Sequence, residues 1–235
     1  AFGLDEQGVE KLRNVSGIEG DQVMPIAVTT PELGMNIFGL AGLAQAPNAT
    51  IFMGIGPDQA FGTAEEDRGM FEADFIEGDA VTARRLLKQG RHVIVSEEYR
   101  QLKGLGVGDT IKLGSPRRGQ YEYTVAGVVR APGVDLIIRM FDIEREFEQW
   151  TAASVIGSLE RAREDFGHDR YHLFAVNLAP GVEKQALERR LKARLATWGL
   201  LTADARAIKA FVEHHVREML ALMSAIPFAA LAVAA

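Results

Sequence analysis

Apolar residues recur along this chain at two periods, which predict short helices alternating with short strands. The first ninety residues contain two apolar runs without polar interruption, typical of buried strands, and two stretches with a helical apolar face. The predicted elements are a helix at 4–12, strands at 23–29 and 50–55, and a helix at 81–89 that Gly90 ends. The segment 31–48 shows no clean period, and an acidic segment extends to Asp79, so both are expected to be irregular.

The segment 91–130 has the clearest pattern of the chain. A strand at 91–95 is followed by Ser96, a residue type that caps helices, and by two glutamates at the positive end of the helix dipole. Gly104 is expected to end this helix. A strand at 110–113 and a return strand at 121–129 then form a hairpin, with Tyr121, Tyr123 and Val125 on one face.

After residue 150 the chain returns to alternating helices and strands. The predictions are a helix at 158–166, a strand at 171–178, a helix at 182–198, a short strand at 200–203 and a terminal helix from 205. The helix at 182–198 has the apolar stripe Leu187, Leu191, Leu195 and Trp198.

The residues from Met219 to Ala235 carry no charge and predict the first part of a transmembrane helix. Seventeen helical residues span about 25 Å, close to the hydrocarbon thickness of about 30 Å. Pro227 would weaken a water-exposed helix but is tolerated in membranes. The alternative is a buried C-terminal helix, although the run has no polar face after Glu218.

Composition excludes several functional classes. The net charge is −6, and acidic and basic residues are interleaved, so no basic stripe predicts nucleic-acid binding. The chain has no cysteine, which excludes disulfides, thiolate nucleophiles and cysteine-bound metals.

Three motifs in the central segment resemble one family of membrane proteins. They are Val93-Ile94-Val95-Ser96-Glu97, Leu105-Gly106-Val107-Gly108-Asp109-Thr110-Ile111, and Tyr123-Thr124-Val125-Ala126-Gly127-Val128-Val129. Weaker matches are Gly54-Ile55-Gly56-Pro57-Asp58 and Gly157-Ser158-Leu159-Glu160. Together they resemble the extracytoplasmic core domain of ABC-transporter permeases of the MacB, FtsX and LolC type, over roughly residues 4–235.

This resemblance implies an α/β (α+β) fold, with a porter-like subdomain of βαβ units interrupted by a smaller, mainly β subdomain. The expected division is 1–90 with 151–218 for the porter-like part, 91–150 for the insertion, and 219–235 for the membrane helix. It further implies an inner-membrane protein with this domain on the periplasmic or extracellular side. The implied partners are a cytoplasmic ABC ATPase, a second permease copy in a homo- or heterodimer, and a periplasmic adaptor or substrate protein.

The function expected from the resemblance is non-enzymatic. The domain would couple cytoplasmic ATP hydrolysis to movement outside the membrane, for export, lipoprotein release or regulation of a partner. The alternatives are a membrane-anchored ligand-sensing domain and a membrane-anchored hydrolase, but the sequence contains no nucleophile motif for a hydrolase. No catalytic residue, cofactor or metal site is predicted.

Three patterns could suggest chemistry, and each has a simpler interpretation. His168 and His172 are four residues apart, yet they flank the start of a strand and no third metal ligand is evident. The acidic residues alternating over 142–148 fit an exposed strand edge better than a cation site. The glycines at 104, 106 and 108 lack the spacing of a phosphate loop and instead predict a turn, with at least one glycine at positive φ.

The strongly apolar segment 134–141 supplies the candidate partner contact. It predicts either a strand buried in the inserted subdomain or an exposed loop that binds a second permease copy or an external partner. The candidate contact residues are Leu136, Ile137, Ile138, Met140 and Phe141.

Overall fold

The computed structural model describes residues 4–31, 50–63, 69–71, 73–115, 119–130, 154–171 and 173–196. The described helices are α1 (Glu6–Arg13), α2 (Pro57–Phe61), α3 (Ala80–Gln89), α4 (Glu97–Lys103), α5 (Leu159–Phe166) and α6 (Lys184–Ala196). The described strands are β1 (Ile18–Thr29), β2 (Ile51–Ile55), β3 (Asp74–Glu77), β4 (His92–Ser96), β5 (Thr110–Ser115), β6 (Gly119–Arg130), β7 (Ser154–Ser158) and β8 (Leu173–Leu178).

All eight described strands belong to one mixed sheet. Its order is β3-β6-β4-β7-β2-β1-β8, and β5 pairs with the first half of β6. The β2–β7 and β4–β6 pairs are parallel, and the others are antiparallel. The expected α/β (α+β) class is therefore confirmed, and the sheet is mixed.

Helices cover both faces of this sheet. Residues of α1, α4 and α5 share an apolar cluster with one face, centred on Phe52 and Tyr123. Residues of α2 and α3 share a second cluster with the opposite face, which includes Met53, Leu87 and Ile94. The central strands are thus buried on both sides, and this explains why β2 and β7 lack an alternating polar pattern.

Side-chain caps begin and glycines end several helices at the residues expected from the sequence. The Ser96 Oγ accepts a hydrogen bond from the Tyr99 N–H at the start of α4, and Gly104 ends that helix in the left-handed region. In α5, Ser158 and Gly167 play the same two roles.

Some elements differ from the predictions. No strand was predicted at the position of β7, and α2 and β3 lie within the segment expected to be irregular. β1 begins at Ile18, well before the strand predicted at 23–29, and its register with β8 shifts between Ile18 and Val23. The sheet tolerates this bulge because β8 lies at its margin.

The chain separates into two compact units at the Val182–Glu183 boundary. In the second unit, Leu187, Leu191 and Leu195 of α6 are buried, as the predicted stripe requires. Trp198 lies outside the described residues. Among the described helices, none has both the length and the apolar character needed to cross a bilayer. The predicted membrane helix from Met219 lies outside the described residues.

The predicted insertion at 91–150 stays a prediction. Its described strands β4, β5 and β6 hydrogen-bond within the same sheet as β2 and β7. Residues 131–150 lie outside the described residues, so the structure describes the first boundary of the predicted insertion, at residues 90 and 91, but not the second.

Candidate functional site

Five buried hydroxyl side chains lie along one edge of the sheet, which we call the hydroxyl edge. They are Thr29, Thr30, Thr50, Ser96 and Ser154. The strand registers bring them to the same edge, because Thr29 pairs with Phe52, Ile51 with Ser154, and Val155 with Val95. Hydroxyls suit this position because strand ends leave backbone groups that need hydrogen-bond partners.

The two long connections of the chain both begin and end at the hydroxyl edge. Residues 32–49 link the end of β1 to the start of β2, and residues 131–153 link the end of β6 to the start of β7. Val129 pairs with Ser96, so Arg130 also reaches this edge. The candidate contact residues Leu136, Ile137, Ile138, Met140 and Phe141 lie outside the described residues, but both ends of their segment are at the hydroxyl edge.

Arg130 joins three elements where the second connection departs. Its guanidinium lies 3.0 Å from Asp74 Oδ2 in β3 and 3.3 Å from Glu97 Oε2 in α4. These pairs are largely exposed, and such pairs typically contribute about 0.2–1 kcal/mol each. They therefore hold the Arg130 side chain between β3 and α4 and add little to the stability of the fold.

In the glycine turn at 106–109, backbone N–H groups donate to two carboxylates of the chain, one within the turn and one in β3. The Gly106 N–H donates to Asp109 Oδ2 at 2.7 Å, and the Val107 N–H donates to Glu77 Oε2 at 3.1 Å. Gly108 has a φ of 92°, which confirms the predicted turn with a glycine at positive φ. Because these carboxylates already accept from the Gly106 and Val107 N–H groups, the two groups are not free to bind a phosphate. The turn is therefore a structural element that leads into β5.

A polar cluster, the Asp165 junction, consists of the buried Tyr123 and Asp165 and of Arg91, whose side chain is 43% exposed. The Arg91 Nε and Nη2 donate to the two carboxylate oxygens of Asp165 at 2.8 and 2.9 Å. The Tyr123 hydroxyl donates to Asp165 Oδ2 at 2.6 Å. The Arg91 guanidinium also lies 4.6 Å from the centroid of the Tyr121 ring, a cation–π geometry.

The surroundings of the Asp165 junction keep its carboxyl ionised. Burial by itself raises the pKa of Asp165, but the hydrogen bonds from Arg91 and Tyr123 outweigh it, so the pKa lies below the ordinary value of 3.8. Burial and the bond to Asp165 raise the pKa of Tyr123 far above 10, so this hydroxyl acts as a donor. The hydrogen bond to Asp165 likewise raises the pKa of Arg91.

Sequence reasoning missed the Asp165 junction, although one signal was present. In α5 the inward-facing residues Ala162 and Phe166 are buried, and Asp165 lies three residues after Ala162 on the same face. An acidic residue on an inward helix face predicts a buried partner. The identity of that partner could not be predicted, because Arg91 is 74 residues away in the chain.

The histidine pair is not assembled into a metal site by the described residues. The His168 Nε2 lies 3.0 Å from the Val28 carbonyl oxygen, which fixes the loop after α5 to β1. His172 lies outside the described residues. Within the described ranges, no group of three or more potential metal ligands comes together.

Comparison with known proteins identifies the family. Residues 4–194 match the family described as the MacB-like periplasmic core domain. No curated protein sequence matches the chain. The periplasmic region of MacB from Actinobacillus actinomycetemcomitans superposes with a TM-score of 0.51 at 14% identity, covering 91% of this chain and 84% of that one. The extracellular domain of the ABC-type transporter YknZ from Gram-positive bacteria gives a TM-score of 0.47 at 15% identity, covering 83% and 85%.

The structural comparison with MacB supports the fold, and the sequence match supports the family. The matched range includes the whole described sheet and the three central motifs on which the resemblance rested. The chain therefore belongs to the family of MacB-like periplasmic core domains, which are the periplasmic domains of ABC-transporter permeases.

Proposed function

We propose that this domain couples ATP hydrolysis in a separate cytoplasmic ATPase to movement outside the membrane. The movement would serve export, lipoprotein release or regulation of a partner protein. The family membership supports this proposal, since the domains of this family belong to transporter permeases. Tilt of the flanking membrane helices would displace the domain, and a single sheet with helices on both faces would transmit that displacement as a body.

We further propose that the hydroxyl edge is the partner-facing end of the domain. The observation that carries this proposal is that both long connections, 32–49 and 131–153, depart from this one edge. Long connections on a rigid scaffold are common carriers of binding residues. The segment 134–141 is strongly apolar, and exposed apolar segments mark sites of protein contact. Its residues 136–138, 140 and 141 would contact the second permease copy or an external protein.

Substitution of Ile138 by aspartate tests the partner contact. If the residue binds a partner, Ile138→Asp should change the free energy of unfolding by less than about 0.5 kcal/mol, as expected for a surface position. Association with the second permease copy or the external partner, and ATP-dependent transport by the complete transporter, should be lost. Thermal unfolding, cross-linking of permease copies and a transport assay measure these effects.

The matched control is Val81→Asp, because Val81 is a 72% exposed apolar residue on α3. It introduces the same charge at an exposed position outside the segments 32–49 and 131–153, and association should persist. Two outcomes would overturn the contact proposal. Unfolding of the Ile138→Asp domain would mean that the segment is a buried strand, because an unpaired buried carboxylate costs several kcal/mol. A folded variant with normal association and transport would mean that the segment has no partner role.

A further inference from the structure

The sheet has a narrow seam between β4 and β7. The register there joins Ile94 to Ile156 and Val95 to Val155, while the ladders on either side, β4–β6 and β2–β7, each extend over five residue pairs. The seam separates the hairpin half of the sheet (β3, β4, β5 and β6) from the β1 half (β1, β2, β7 and β8). Short pairing gives the backbone few hydrogen bonds that resist rotation of one half against the other.

The Asp165 junction crosses this seam. Arg91 directly precedes β4 and Tyr123 lies in β6, so both belong to the hairpin half. Asp165 lies in α5, which follows β7 and packs against β1 and β2. Its two carboxylate oxygens therefore receive three hydrogen bonds from the opposite side of the seam.

The junction differs in kind from the apolar contacts that also cross the seam. Phe52 and Phe166 pack against Tyr123, with Phe166 stacked at an interplanar angle of 22°. Apolar packing is non-directional and permits small displacements of one group over another. A bidentate guanidinium–carboxylate pair has fixed geometry, and its carboxylate side chain is only 3% exposed. Rotation about the seam would leave the buried Asp165 carboxylate without its donors, whereas the Arg91 side chain is 43% exposed and can bond to water instead.

We infer that Arg91, Tyr123 and Asp165 form a latch across the β4–β7 seam that holds the two halves of the sheet at one angle. The role of this latch rests on the proposed function, because a displacement passes from one half of the sheet to the other only when the angle between the halves is fixed. It concerns the described fold alone, and its test requires neither transport nor a partner.

Hydrogen–deuterium exchange of the 235-residue chain in mild detergent tests the latch. In Asp165→Asn and in Tyr123→Phe, amide exchange in β5 and β6 should speed up roughly 10- to 100-fold, the factor expected for losing one hydrogen bond to a charged group. Exchange in β1 and β2 should change much less, because local opening exposes only the unlatched half. Tyr123→Phe keeps the aromatic packing and covers the case in which Asp165→Asn fails to fold.

Two control variants calibrate the exchange pattern. Glu122→Gln removes an exposed pair with Lys112 on the same hairpin and should leave exchange unchanged. Val28→Ala opens a cavity in β1, where Val28 is buried, and should accelerate exchange in both halves together. If the junction variants accelerate amide exchange equally in both halves of the sheet, the junction only adds global stability, and the latch proposal is overturned. Unchanged exchange in both junction variants would overturn it as well.

Discussion

Replacement of Gly157 by alanine should destabilise this domain through a single methyl group. Gly157 lies in β7, and a Cβ atom added there would come within 2.2 Å of Phe52 Cζ and 2.7 Å of Phe52 Cε2. Both distances are far below van der Waals contact. The Phe52 ring has no exposed surface and is held edge-on by Tyr123 and Phe166, with centroid distances of 5.7 and 4.9 Å. It therefore has little freedom to move aside.

The expected loss of stability follows from two opposing terms. Insertion of an extra carbon into a packed core costs about 1–3 kcal/mol, and this contact belongs at the upper end of that range. Removal of a glycine from a strand recovers about 0.5–1 kcal/mol of backbone entropy. The net loss is about 2 kcal/mol, and since each kcal/mol shifts the Tm of a domain of this size by about 2–4 °C, the Tm should fall by about 4–8 °C.

Thermal unfolding followed by circular dichroism measures this shift, and a double variant checks its cause. Phe52→Leu removes the ring atoms that the new methyl group meets, so Gly157→Ala should cost less in the Phe52→Leu background than in the wild type. Gly56→Ala is the matched control. Its Cβ would come near only the half-buried Gln59 side chain, whose amide donates to the Val23 carbonyl oxygen, and Gly56 has a negative φ. An unchanged Tm for Gly157→Ala, or strictly additive effects in the double variant, would refute the steric argument.

Three further predictions concern a turn, a half-buried histidine and the apolar tail. Gly108→Val should lower the free energy of unfolding by about 1–3 kcal/mol because φ is 92° there, and unchanged thermal stability would show that the glycine is incidental. Burial lowers the pKa of His92 below 6.5, so the unfolded chain binds more protons than the folded domain. Stability should therefore fall as the pH drops below about 6.5, and urea titrations at pH 7 and pH 5 should show a smaller fall for His92→Gln. If Met219 begins a membrane helix, the 235-residue chain should resist alkaline extraction from membranes while residues 1–218 are recovered in the soluble fraction, and soluble recovery of the 235-residue chain would contradict it.

The local elements that the sequence predicted have causes within a few residues. The Ser96 cap and the Gly104 end of α4 depend only on side-chain oxygen reach and on glycine's access to positive φ. The alternation in the first half of β6 was predicted because Glu122 and Thr124 are more exposed there than Tyr123 and Val125, whereas residues 125–129 are buried throughout. The family resemblance rested on these same motifs and is confirmed.

The elements that the sequence did not predict depend on distant parts of the chain. β7 was missed because its sequence, Ser154–Ser158, begins and ends in serine and lacks the continuous apolar run by which β2, equally buried on both faces, was predicted. Its parallel pairing with β2 spans about a hundred residues, and no local pattern encodes that choice. The candidate contact at 136–141 stays a prediction.

The sequence alone therefore determined the helix ends, the hairpin, the α/β class and the family, since these depend on short-range patterns. Tertiary structure decided the strand order, the gathering of both long connections at the hydroxyl edge, and the pairing of Asp165 with Arg91 and Tyr123. The physical reason is that burial and hydrogen bonding between strands depend on which segments meet in space. In this sheet those partners lie tens of residues apart in the chain.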